Sequence, residues 1–421
     1  ISNCITAQTS DTINVEEVVV SATKTEADRK NVTLNVSLIN SKVIETTEET
    51  SVLPLLSRQV PGLFVTQRGV TGFGVADGSA GQINIRGLGG NPTSQVLMLI
   101  DGHPQFMGLM GHHLPDAYVT SDVAKVEVIR GPASILYGSN SLGGVINIIT
   151  KKQKQEGISA NAKISYGLPY NTQKYMGSGG FKKKKLEIFA SFNHEQTDGH
   201  RDSSDFNINN GYIKAKYQLT PQISITGDFN LAAFESQDPG LDTGNISDPV
   251  AGERIDITRG KTSLSIENKF GFMQGGLKYY QNFGEHKITD GWHSHDIMYG
   301  LMFYQSFSPF KGNQITAGYD LMKYGGKGSP IISFIRDEDH TGNPFILSEY
   351  NDSWVSMHNQ ALYTFTRQNI FQNFILSAGL RYEINQTYGQ ELIPQAGFSY
   401  HPFVMSTLKG SVSKGYRPPS I

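Results

Sequence analysis

Beyond residue 150 the chain alternates between apolar and polar positions. Ile158, Ala160, Ala162, Ile164 and Tyr166 are interleaved with Ser159, Asn161, Lys163 and Ser165. Leu186, Ile188, Ala190 and Phe192 repeat the pattern, as do Ile213, Ala215, Tyr217 and Leu219, then Ile223, Ile225, Phe229 and Leu231. Apolar residues at every second position put one face of an extended strand in an apolar environment. Similar stretches lie near 261–270, 273–283, 297–307, 312–322, 354–365, 371–383, 394–401 and 404–414. The period predicts about thirteen strands of roughly 9–13 residues. Thr220-Pro221-Gln222 is a tight connection, whereas those near 235–260 and 323–353 are long and rich in Gly, Asp, Asn and Pro. Short turns on one side and long loops on the other are the pattern of a membrane-spanning barrel. Tyr166, Tyr217, Phe365 and Tyr382 fall near strand ends and fit an aromatic girdle at the lipid boundary. A soluble β-sandwich or propeller is the competing reading, but no blade-length repeat is present.

The first 150 residues have a different texture. Val96–Ile100 is continuously apolar, Ile83 and Ile85 alternate, and Val126, Val128 and Ile129 precede an Arg130-Gly131-Pro132 turn. The run 144–150 follows. These predict buried strands, with a further strand over Val36–Ile44 and one over Leu63–Gln67. Val52, Leu55 and Leu56 stand at helical spacing within Glu48–Gln59, with Pro54 early, where a helix tolerates it. Residues 69–81 read as a glycine-rich loop and Asp101-Gly102 as a turn. The mixture is α+β. Val15–Ala22 is a short extended run, read either as a first strand or as a segment that adds to a partner's sheet edge. Arg86, Glu127 and Arg130 are charges among apolar neighbours, and each needs a partner.

Composition narrows the picture. The 45 glycines and 10% aromatic residues in 421 suit a turn-rich β protein. Mean hydropathy is −0.31, and no apolar run reaches the roughly 20 residues of a membrane helix, which leaves a strand-built span open. The net charge of −2 implies no bulk attraction to nucleic acid. Cys4 is the single cysteine, so an intramolecular disulfide is excluded. The opening ISNCITAQ is read as the remnant of a secretory signal peptide, with cleavage near Ala7-Gln8, or as an ordinary terminus.

Candidate chemistry gathers in two places. His103, Met107, Met110, His112 and His113 fall within a loop, His103–Asp116, punctuated by Pro104, Gly108, Gly111 and Pro115. Imidazole and thioether groups suit haem iron or copper. The competing reading packs the methionines under the loop and leaves the histidines in water. Asp290–Asp296 holds a His293-x-His295 pair, a weak metal candidate whose two rings share a side if the segment is a strand. No G-x-S-x-G, Walker A, H-E-x-x-H or C-x-x-C pattern occurs, and no paired carboxylates suggest an enzyme.

The stretch Val126–Gly138, VEVIRGPASILYG, with GGVINIIT at Gly143–Thr150, closely resembles the end of the plug domain of TonB-dependent outer-membrane receptors. INIRGLGGN at Ile83–Asn91 and VLMLIDG at Val96–Gly102 fit that resemblance in the same order. It implies an N-terminal α+β plug inside an antiparallel transmembrane β-barrel of about 22 strands. Residues 1–12 would then be the leader remnant, 13–152 the TonB box and plug, and 153–421 an incomplete barrel. GYRPPSI at Gly415–Ile421 is similar to a segment inside such barrels, near a haem-receptor Tyr-Arg-Ala-Pro signature with Pro418 at the alanine position. The chain is therefore expected to be a C-terminally truncated fragment.

By the same resemblance, Val15, Glu16, Glu17, Val18, Val19, Val20, Ser21 and Ala22 form the TonB box, and Arg86, Glu127 and Arg130 a polar lock between plug and barrel wall. The resemblance implies a multi-pass barrel in the outer membrane of a Gram-negative bacterium, embedded in outer-membrane lipid. Its function would be active import of a scarce small-molecule metal complex, energised by TonB, with no intrinsic cofactor and no catalysis. The His/Met loop and the Tyr-Arg-Pro-Pro segment favour an iron complex, a ferric siderophore or haem, over cobalamin or copper. A surface lipoprotein is a further partner compatible with this reading, and a non-transporting surface adhesin is the alternative.

Overall fold

This computed structural model describes residues 18–67, 69–73, 81–90, 92–238, 253–289, 291–328, 353–403 and 406–419. Residues 1–17, which include the expected leader remnant and Val15, Glu16 and Glu17, lie outside the described residues, as do 239–252 and 329–352 in the two long connections.

The N-terminal part begins with a two-stranded ladder, β1 (Val18–Val19) and β2 (Ala27–Asp28). Then come β3 (Val36–Ile39), α1 (Ser41–Glu45), α2 (Leu53–Gln59), β4 (Leu63–Val65), β5 (Ile83–Ile85), β6 (Val96–Ile100), β7 (His103–Pro104), β8 (Val123–Arg130), α3 (Ser134–Tyr137) and β9 (Gly144–Thr150). The expected strand over Val36–Ile44 is cut short after Ile39. Asn40 caps α1 there, its Oδ1 accepting from the Val43 amide at 3.2 Å. The expected helix begins later than Glu48, at Leu53, with Pro54 in its first turn.

Five strands form a mixed sheet in the order β3-β8-β9-β6-β7, in which only β6 and β9 run parallel. Both faces are covered, which is why β6 reads as an uninterrupted apolar run. Val96, Met98 and Ile100 join a core with Leu53 and Leu56 of α2 and Ile83 and Ile85 of β5. Leu97 and Leu99 face the other way, into a core shared with Val19 and Ala22 and with Tyr280, Tyr363 and Phe365 of the second sheet.

That second sheet is an antiparallel meander of thirteen strands among the described residues. They are β10 (Gly157–Gly167), β11 (Thr172–Lys183), β12 (Leu186–Thr197), β13 (Phe206–Gln218), β14 (Ile223–Asp238), β15 (Glu253–Phe270), β16 (Met273–Ile288), β17 (His293–Phe307), β18 (Asn313–Gly328), β19 (Val355–Phe371), β20 (Phe374–Asn385), β21 (Gly389–Phe403) and β22 (Ser406–Ser413). The glycine-rich β11 has no clean alternation, and the apolar pattern did not pick it out. Several strands run 15 to 18 residues, as in β15 and β17. They continue past the apolar stretch with polar residues that periodicity alone does not flag.

The wall is inside out relative to a soluble protein. In β15, Leu264 and Ile266 are 53% and 45% exposed, while Lys261, Ser263 and Ser265 on the alternate positions are buried on the inner side. Apolar outside and polar inside is the arrangement of a barrel facing lipid. Tyr166, Tyr217 and Tyr382 are exposed, as a girdle requires, but Phe365 is 4% exposed and points inward. It packs in the core with Ile135 and Tyr137 of α3, so it does not belong to the girdle. Among the described residues no helix is long and apolar enough to cross a membrane.

Candidate functional site

The first part of the site is the strap, Val18–Thr25. Ser21 is fully buried, and the Glu127 carboxylate beneath it is also at 0% exposure. Glu127 Oε2 accepts from the amides of Val20 (2.9 Å) and Ser21 (2.8 Å) and from Ser21 Oγ (2.6 Å). Its other oxygen pairs with Lys125 Nζ at 2.7 Å, and Lys125 also donates to the Val18 carbonyl. Asn147 Nδ2 donates to Ser21 Oγ and the Tyr137 hydroxyl to the Ser21 carbonyl, both at 2.9 Å. A buried carboxylate with several donors and a cation is satisfied. The described part of the expected TonB box, Val18 to Ala22, is thus tied down on the plug.

Lys24 completes the strap. Its ammonium lies 3.9 Å from the centre of the Tyr137 ring and 6.0 Å from that of Tyr363 on β19. Burial lowers its pKa to about 8; Asp320 pulls the other way, and Arg381 and Lys278 repel the charge further.

The second part is the seam between plug and wall. Arg86, Glu127 and Arg130, expected at this seam, make their described contacts elsewhere. Glu127 holds the strap. Arg130 donates to the Pro61 carbonyl (3.2 Å) and Asn35 Oδ1 (2.6 Å), both within the plug. Arg86 is an exposed residue at positive φ, its amide bonded to the Gly62 carbonyl. The physical reason is register. Glu127 sits between Leu38 and Asn147 in the middle of the plug sheet, on the face the strap covers.

The seam is carried instead by the turn residue Asp101. Asp101 and Gly102 have φ of 47° and 83°, the conformation of a two-residue hairpin between β6 and β7. Asp101 Oδ2 accepts from Lys214 Nζ of β13 at 2.9 Å and from Thr150 Oγ1 at 2.5 Å, and its carbonyl accepts from Lys278 Nζ of β16 at 2.6 Å. Burial alone would raise the Asp101 carboxyl, but Lys214, Lys278 and Lys261 outweigh it and hold the group well below the usual carboxylate range. Tyr212 and Lys214 both reach Thr150 Oγ1, at 2.9 and 2.8 Å. Ser191 of β12 bonds the buried Asp122, and Thr33 of the plug meets Ser377 of β20. Asp101 was legible only as a turn, because nothing local signals which distant strand lies opposite it.

The third part is the His/Met loop, clamped against the wall. Asn282 Nδ2 donates to the Pro104 carbonyl and Arg259 Nη2 to the Phe106 carbonyl, both at 2.8 Å, and the Gly108 amide reaches Asp296 Oδ2 at 3.3 Å. Arg259 is itself paired with Asp296. A Cβ on Gly108 would lie 2.5 Å from the Gly325 carbonyl oxygen, so only glycine allows this approach. His103 is fully buried and stacks on Tyr280 at 5.2 Å. Burial pushes its pKa well down, and Lys261 and Lys278 add to that. Met107 is buried, and so is His113, which stacks on Tyr118 and is pushed by burial to about 3. His112 is half-buried and its Nδ1 contacts the His113 carbonyl at 2.9 Å. The loop turns back at Met110-Gly111, both at positive φ, which leaves Met110 exposed at the tip. The five residues therefore do not converge. Met110 is exposed, His112 is half-buried beside it, and His103, Met107 and His113 are packing residues.

His293 and His295 lie in β17, with their rings on one side as the strand alternative required; the ring centroids are 4.7 Å apart. Glu285 of β16 stands beside them, an acidic partner that no sequence spacing indicated.

Two sequence models match the chain: the TonB-dependent Receptor Plug Domain over residues 28–145, and the TonB dependent receptor-like beta-barrel over 144–421. A vitamin B12 transporter, BtuB of Vibrio vulnificus, is 28% identical over 340 residues, which cover 75% of this chain and 50% of the relative. The alcaligin outer-membrane receptor FauA of Bordetella pertussis shares the fold with a TM-score of 0.76 at 15% identity, over 96% of this chain and 66% of that one. The siderophore receptor PirA of Acinetobacter baumannii does so with a TM-score of 0.73 at 18% identity, over 94% and 62%. The chain thus spans about half the length of the curated relative and under two thirds of these solved receptors.

Proposed function

The chain belongs to the TonB-dependent receptors of the outer membrane, and on that premise we propose that it imports a scarce metal complex, a ferric siderophore or haem, with energy delivered through TonB. The observation that carries this reading is the strap. Val18–Ala22 is bound to the plug by a few bonds centred on one carboxylate, Glu127, and the plug is bound to the wall through a separate seam at Asp101. A partner that adds a strand to Val15–Ala22 from the periplasm would pull on Glu127 and Lys125, and through β8 on the plug sheet. Two compartments are then coupled through one domain. An adhesin has no use for such an attachment.

The iron complex is favoured by the exposed Met110 with the half-buried His112 two residues on, and by the Tyr416-Arg417-Pro418-Pro419 segment. Cobalamin is the second reading, favoured by the transporter relative. Copper is a third, resting on the same thioether and imidazole groups.

The test is a titration of the receptor in detergent with haem, ferric siderophores, cobalamin and copper, repeated with His112→Ala and Met110→Ala together. Saturable binding of an iron complex supports the reading, and a loss in the double variant assigns the contact to the loop tip. Saturable binding of cobalamin alone would transfer the chain to the second reading. For energy coupling, deletion of Val15–Ala22 is expected to leave surface binding intact and abolish uptake. Binding lost together with uptake would count against the strap's role.

A further inference from the structure

We propose that Glu285, His293 and His295 form a binding site for a divalent transition-metal ion of the zinc class on the outer surface of the barrel wall, away from the route through the lumen. Glu285 and His295 are directly opposite one another in the β16–β17 ladder, and His293 is two residues along the same face. Their ligand atoms all lie within 4.8 Å of one another. His293 Nε2 is 2.8 Å and His295 Nε2 3.8 Å from Glu285 Oε1. Ligands about 2.0–2.1 Å from a tetrahedral ion stand roughly 3.3 Å apart, so shifts of about half an ångström bring each nitrogen to that separation from the carboxylate oxygen. Two imidazoles and a carboxylate suit zinc, nickel or copper rather than magnesium or calcium, and leave a coordination position open.

The face matters as much as the donors. Ser294 and Asp296, which alternate with the histidines, are buried, and Asp296 belongs to the clamp on the plug loop. The histidines therefore point the other way, outward, each about 40% exposed. Along the same outward face the strands become apolar further down, at Tyr279, Leu277, Tyr299 and Phe303. The donors lie beyond that band, beside the connection 289–292. An ion there is not cargo in transit. It joins the ends of two strands across their connection, on a backbone ladder that preorganises the ligands. Lys287 Nζ lies 2.9 Å from Glu285 Oε1 and is displaced when the ion takes that oxygen.

The experiment uses the full chain in detergent, stripped with a chelator and titrated with zinc by calorimetry and with cobalt by visible absorption. One equivalent of zinc and a cobalt d–d band are expected. Binding should weaken at least about thirtyfold in His293→Ala/His295→Ala and about tenfold in Glu285→Gln, since each removes an inner ligand. All three side chains are on the outer surface, and heat-modifiable gel migration verifies that the variants keep the barrel. The proposal is overturned if zinc binds equally to the parent and the double variant, if cobalt gives no band, or if neither ion saturates.

Discussion

At the scale of single residues, the strap depends on Glu127. It is buried and accepts three hydrogen bonds from Val20 and Ser21, so its loss affects one local equilibrium rather than the whole fold. Glu127→Gln removes the charge from those bonds and leaves Lys125 without its ion-pair partner. The undocked fraction of the strap should rise about tenfold or more, read from a nitroxide at Glu26→Cys in a Cys4→Ser background. Equal mobility in variant and parent would remove Glu127 from this role.

Lys24 makes the same equilibrium sensitive to pH. Docked, its pKa is about 8; undocked, it returns toward 10.5. Between those values the docked state binds fewer protons, so docking strengthens as pH rises through the window. Below about 8 the lysine is protonated in both states and this gain is absent. The nitroxide signal should show the strap tightening between about pH 8 and 10.5, and Lys24→Met should flatten the profile.

At the scale of elements, the plug is fastened by the β6–β7 hairpin. Asp101→Asn removes the partner of Lys214 and leaves two lysines facing a neutral amide. Breaking such a partly buried pair costs about 2–4 kcal/mol, and the plug should unfold at lower urea than in the parent while the barrel stays intact. Gly108→Val tests the clamp on the His/Met loop. Its side chain has no room beside the Gly325 carbonyl, so the loop must leave the wall. Increased exchange of the amides in 106–113, without loss of the barrel, is the expected result.

The same elements show what was legible beforehand. Asp101-Gly102 was readable as a turn because its chemistry is local. β11 has no legible period, because Gly177, Gly179 and Gly180 interrupt alternation without interrupting hydrogen bonding to its neighbours. Phe365 looked like a girdle residue by position, and only its register, opposite Gly379 in β20, turned it toward α3.

For the whole molecule, the wall and the plug satisfy one another. Wall lysines from β10 to β22 donate to plug carbonyls, Lys163 to that of Thr47 and Lys409 to that of Arg29. The polar inward face of the wall is thereby met in part by the plug and in part by pairs within the wall, such as Lys261 with Asp228 and Arg381 with Glu383, and the apolar outward face is left for lipid. The sequence by itself determined the period of the strands, the buried sheet of the plug and the family wording, because periodicity and turn chemistry act between near neighbours. It also showed which residues carry unusual chemistry. Only the tertiary structure decided their partners: Glu127 with Ser21 rather than the wall, Asp101 with Lys214, Glu285 with the two histidines. Those pairings join residues far apart in the chain. They depend on the register of whole strands and on how the plug is seated, which no local pattern encodes.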